Sequence, residues 1–150
     1  GLAWVELPGR FQVMPGRPTI VLDVAHNPHA AHALTQNLEN MAYHPYTYAV
    51  MGAMADKDIV GVIKPLLNTI DFWYFCDLPT PRAAKATDLQ IILLDLGFEP
   101  GPDRGCQLFD SPELAYQEAL KKAGENDRIT VFGSFYTVAG VMSYRNSKSN

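Results

Sequence analysis

The chain has only two cysteines, Cys76 and Cys106, with no CxxC spacing. That leaves no framework for a disulfide-stapled fold and no thiolate zinc centre, and both thiols are expected to be reduced. Basic blocks are missing too. Twelve Lys and Arg are scattered among 16 Asp and Glu, for a formal charge of -4, so nothing offers a phosphate-neutralising surface and no nucleic-acid partner is expected. No apolar run is long enough to span a bilayer and no signal-peptide pattern opens the chain, which points to a cytoplasmic protein away from membranes. Neither GxGxxG nor GxxxxGK[ST] occurs, so there is no dinucleotide fingerprint and no triphosphate-cradling loop.

Against these absences stands a chain of 150 residues that is 47% hydrophobic, enough for one domain with its own core. Residues 1–10 read as a linker or junction and residues 11–150 as the domain. Short β-branched or aromatic runs at Phe11–Met14, Thr19–Asp23, Tyr46–Met51, Asp71–Cys76, Cys106–Phe109 and Arg128–Phe132 read as strands. Helical spacing falls between them: His29–Met41, Thr87–Leu96, Pro112 to about Ala123, and Gly133-Ser134 onward to Tyr144. The clearest apolar repeat runs from Ile59 through Val62, Ile63, Leu66 and Leu67 to Ile70. The polar tail from Arg145 is expected to fray. Strands that alternate with crossover helices predict an α/β fold. It is a Rossmann-like, open, mostly parallel sheet of about six strands with helices on both faces. In such sheets ligands bind beyond the carboxyl ends of the strands.

Two strand ends carry chemistry. In Asp23–Pro28, Asn27 suits an N-cap and Pro28 the first helical turn, so Asp23 and His26 fall in the loop above the sheet near the positive end of a helix. An anion is favoured there, and Asp23 offers an acceptor for hydroxyls such as those of a ribose. The plainer alternative is a capped helix with two surface loop residues. Gly133-Ser134 repeats the device at the last strand, again with simple capping as the alternative. His26, His29 and His32 recur every third residue, but a helical pair would be spaced four apart and no acid or cysteine completes a shell, so no metal site is expected on them. Asp56-Lys57-Asp58 reads as a helix start, and Arg82 as a solvated loop residue.

Taken in order, "PGRFQV" (Pro8–Val13), "LDVAHNPHAA" (Leu22–Ala31), "MGAMADKD" (Met51–Asp58), "PRAA" (Pro81–Ala84) and "GSFYTVAGV" (Gly133–Val141) resemble the C-terminal domain of bacterial dihydrofolate synthase/folylpolyglutamate synthases, in the Mur ligase superfamily. The resemblance implies a Mur ligase C-terminal domain fold. It also implies a part in the ATP- and Mg2+-dependent joining of L-glutamate to dihydropteroate or folate through an acyl phosphate. Carried over by position, Asp23 and Arg10 would contact the nucleotide, and His26 and Ser134 the glutamate. No catalytic side chain and no metal ligand is assigned to this chain. The resemblance implies a monomeric enzyme whose larger N-terminal ATPase domain is absent here, so the 150 residues are expected to be inactive alone. The alternatives are another Mur-type amino-acid ligase, for instance one acting on a cell-wall precursor, or a receiver-like binding module.

Overall fold

The computed structural model describes residues 11–148. The segment 1–10, and Arg10 with it, lies outside the described residues.

Six strands form one sheet: β1 (Gln12–Met14), β2 (Thr19–Leu22), β3 (Thr47–Met51), β4 (Phe72–Cys76), β5 (Gly105–Phe109) and β6 (Arg128–Phe132). Their order is β1-β2-β6-β3-β4-β5. Only the β1–β2 pair is antiparallel, with Val13 opposite Val21; all other pairs are parallel. The α/β reading holds in outline, with strand ends shifted by a residue. The last strand in sequence sits near the middle of the sheet, paired with both β2 and β3, and all five of its residues are buried.

Among the described residues five helices cover the sheet: α1 (Pro28–Glu39), α2 (Ile59–Ile63), α3 (Ala86–Asp95), α4 (Pro112–Lys122) and α5 (Phe135–Lys148). Alternation along the strands sorts their side chains. Val21, Ala49, Met51, Trp73, Phe75 and Phe132 meet α1, α2 and α3 on one face. Ile20, Leu22, Val50, Tyr74, Ile129 and Val131 meet α4 and α5 on the other. Leu34 and Leu38 of α1 are fully or almost fully buried, each contributing roughly 1.5–3 kcal/mol of transfer free energy.

Two expectations are corrected. The repeat from Ile59 is not one α-helix. α2 ends at Ile63 and a 3-10 turn follows at Lys64–Leu66. Pro65 has no amide hydrogen to continue the α ladder, although Val62, Ile63, Leu66 and Ile70 all stay buried. The tail from Arg145 does not fray at once, because α5 runs on to Lys148. Arg145 Nη1 donates to Tyr116 Oη at 2.6 Å, and the Tyr116 and Tyr144 rings pack edge to face 5.9 Å apart. Those contacts bind the polar end of α5 to α4.

The amino end of the sheet is closed by Arg128, the first residue of β6 and only 8% exposed. Its Nε donates to Thr47 Oγ1 at 2.8 Å and its Nη1 to Leu38 O, in the last turn of α1, at 2.7 Å. A cation there meets a carbonyl of the last helical turn, which Met41 N–H also approaches at 3.2 Å, and the negative end of the helix dipole.

Candidate functional site at the carboxyl ends of β2, β3 and β6

β2 and β3 each lead into a helix on one face of the sheet, whereas β6, lying between them, leads into a helix on the other. The loops that leave these three strands therefore diverge and leave a crevice above β6. Such a switch point is where open α/β sheets bind ligands.

The β2–α1 loop builds one wall. Asp23 N–H donates to Val131 O at 3.0 Å and extends the ladder by one bond. The Asp23 carboxylate then accepts from Ala25 N–H at 2.9 Å, turning the chain. Burial pushes this carboxyl up to about 6, partly offset by the Ala25 bond. Its other oxygen has no partner among the described residues. Asn27 caps α1 by accepting from Ala30 N–H at 2.8 Å, with Pro28 in the first turn, as the sequence predicts. His26 Nδ1 lies 3.0 Å from Val24 O. A carbonyl can only accept, so Nδ1 carries the proton, and Nε2 donates to a carboxylate only as the imidazolium.

The β6–α5 turn builds the second wall. Gly133 has φ +111°, and a Cβ there would stand 2.3 Å from Gly52 O, so only glycine fits. Ser134 is buried, and its Oγ accepts from Thr137 N–H at 3.1 Å, capping α5. The capping alternative is thus satisfied without excluding a second role. The loop after β3 is the third wall. Asp58 caps α2 by accepting from Gly61 N–H at 3.0 Å. Lys57 precedes it. Arg82 is exposed and pairs loosely with Asp56 at 3.9 Å.

These walls enclose a cavity of about 220 Å³, lined by Val24, His26, Met54, Lys57 and Ser134, with Phe135 and Tyr136 at α5. His26 and Ser134, assigned from two distant stretches of sequence, line the same space. Asp23 does not line it, but its neighbour Val24 does. Lys57, given no role from sequence, adds an ammonium. The aromatic pair Phe135-Tyr136, in the stretch after β6 but likewise given no role from sequence, is 59% and 43% exposed beside the helix cap. The cavity is smaller than the roughly 300–1,000 Å³ of drug-sized pockets and is mainly apolar with a few converging polar groups, which suits a small charged ligand. A larger hollow of about 370 Å³ near Gly16, Tyr43 and His44 lies at the amino ends of the strands, where this sheet class does not present ligands. Among the described residues no group of three or more His, Cys, Asp or Glu side chains could hold a metal ion. The donor set present here does not fit the Mg2+ that the resemblance implies. The end of β3 is Met51-Gly52, without the acid a receiver domain would phosphorylate there.

Residues 9–135 match the family model described as "Mur ligase, glutamate ligase domain". The chain belongs to this family. The Mur ligase glutamate ligase domain of this chain is 40% identical over 142 residues to the dihydrofolate synthase/folylpolyglutamate synthase of Escherichia coli (strain K12), covering 95% of this chain and 31% of that protein. It is also 40% identical over 141 residues to the protein of the same name from Buchnera aphidicola subsp. Acyrthosiphon pisum, covering 94% and 32%. The solved structure of E. coli FolC in complex with DHPP and ADP superposes with a TM-score of 0.86 at 38% identity, over 96% of this chain and 32% of that one. A bifunctional folylpolyglutamate synthase/dihydrofolate synthase with Mn, AMPPNP and L-glutamate bound superposes at 0.80 and 38% identity, over 93% and 32%. This glutamate ligase domain therefore spans about a third of the length of the relatives it matches.

Proposed function

We propose that this chain is the C-terminal domain of an ATP-dependent ligase that adds L-glutamate to dihydropteroate or folate. In this reading the cavity beside β6 holds the glutamate. Its carrying observation is the convergence of His26, Ser134 and Lys57 on one amino-acid-sized space at the start of α5. Glutamate brings two carboxylates. An ammonium, a hydroxyl, the positive end of a helix and, when it is protonated, a histidine ring are the groups that answer them. Phe135, Met54 and Val24 supply the apolar floor against which the side-chain methylenes would lie.

Such a ligase activates the pteroate or folate carboxyl as an acyl phosphate; the glutamate amine attacks it, a tetrahedral intermediate forms, and phosphate departs. The described residues of this chain would bind and orient the amino acid so that its amine faces the acyl phosphate, while Asp23 accepts from a ribose hydroxyl of the nucleotide. Arg10, at the junction, would approach the same nucleotide. The triphosphate, the metal and most of the pterin contacts would belong to an N-terminal ATPase domain, with which a monomeric, cytoplasmic enzyme would be complete.

NMR titration of the chain tests this. Glutamate is expected to shift amide resonances at His26, Lys57 and Ser134–Tyr136. Glutamine, with one carboxylate fewer, should act more weakly. ATP is expected to shift Asp23 and its neighbours. Responses confined to other surfaces would overturn the assignment.

A further inference from the structure

Thr137 is fully buried in the first turn of α5 and does not line the cavity. Its hydroxyl nevertheless makes three hydrogen bonds. Gly52 N–H donates to Thr137 Oγ1 at 3.2 Å, and Thr137 Oγ1 donates to Gly52 O at 2.9 Å, since a carbonyl can only accept. Its proton is thereby spent, so the 2.8 Å contact with Ser134 Oγ is donated by Ser134. Thr137 N–H in turn donates to Ser134 Oγ at 3.1 Å. One side chain thus bonds two chain reversals from different strands, and both reversals wall the cavity. Glycine at 133 allows Gly52 O to come that close.

We propose that Thr137 is a positioning residue for the glutamate site. It holds the Ser134 oxygen in one rotamer and joins that wall to the loop bearing Met54 and Lys57. The inference rests on the glutamate reading above. When a ligand carboxylate accepts the hydrogen bond from the Ser134 hydroxyl, the hydroxyl turns about its Cβ–Oγ bond. With ligand bound, its carboxylate and the Thr137 N–H together hold the oxygen, and Thr137 keeps both bonds to Gly52. The exchange costs one internal hydrogen bond and forms a charge-assisted one, so the oxygen is set before the ligand arrives.

Thr137→Val removes the hydroxyl at nearly constant shape, and Thr137→Ser keeps it. Glutamate affinity, read by titration at His26 and Ser134, is expected to fall about tenfold in T137V and to stay within about twofold of the unsubstituted chain in T137S. Three-bond couplings of the Ser134 side chain should show a single rotamer in the unsubstituted chain and T137S, and averaging in T137V. If valine unfolds the turn, Thr137→Ala, which leaves room for a water, is measured in its place with the same outcomes expected. An unchanged affinity, or a Ser134 rotamer still single without the hydroxyl, overturns the positioning role alone. No glutamate response at the cavity in the unsubstituted chain overturns the glutamate reading and this inference together.

Discussion

At the scale of the residue, Asp23 carries a conflict between stability and use. Its carboxyl is raised from an ordinary aspartate value to about 6 because burial disfavours the charged form. A raised folded-state value means stability that is present below the unfolded value, near 3.8, and lost as pH rises through about 6. At neutral pH the chain therefore keeps an ionised carboxylate at a cost. Asp23→Asn retains an acceptor for Ala25 N–H and removes that cost. Thermal unfolding of D23N should show a gain of about 1–2 kcal/mol at pH 7.5, after allowance for solvent screening of a partly exposed group, and no gain below pH 4. The same variant should lose the ATP response. Asp23, His26 and Ser134 could be singled out as candidates from the sequence because each sits beside a helix-start signal after a buried strand. Thr137 was not. Within the apolar spacing of α5 it looks like an ordinary buried position, and its meaning lies in a partner, Gly52, that is 85 residues away.

At the scale of the element, the β6–α5 turn is the part with least tolerance. Gly133 combines a φ that L side chains rarely adopt with a backbone contact that leaves no room for a Cβ. Gly133→Ala should cost about 3 kcal/mol or more in chemical denaturation and displace Ser134 from the cavity. Gly97, also at positive φ, faces open space where a methyl group would point, so strain from a substitution there would be conformational only. Helix starts were readable for α1, α2 and α4, where Asn27, Asp58 and Ser111 each cap with their side chains; α3 starts after Lys85 without a side-chain cap. Helix ends were less so. α2 stops early because a proline withdraws one amide, and α5 runs long because Arg145 and Tyr144 find partners on α4. Local polarity forecast fraying, but a tertiary hydrogen bond and a ring contact outweighed it.

At the scale of the whole molecule, the site exists because β6 lies between β2 and β3. That placement brings residues 23–28, 52–57 and 133–137 together, and it separates them from the hollow at the far end of the sheet. On the proposed function, with this chain spanning about a third of its relatives' length, it is expected to form no glutamate–folate amide bond when assayed alone with ATP and Mg2+. Detectable product would refute the division of labour proposed above. By itself the sequence determined the α/β class, six strands and the side-chain caps of three helices, and it offered His26 and Ser134 as candidates for the site, because strand runs, capping side chains and proline at a first turn act over a few neighbouring residues. Only the tertiary structure decided the order of strands, the meeting of His26, Lys57 and Ser134, and the bond between Thr137 and Gly52. Those depend on which parallel strands pair across long crossovers, a choice settled by packing two apolar faces at once rather than by any local signal.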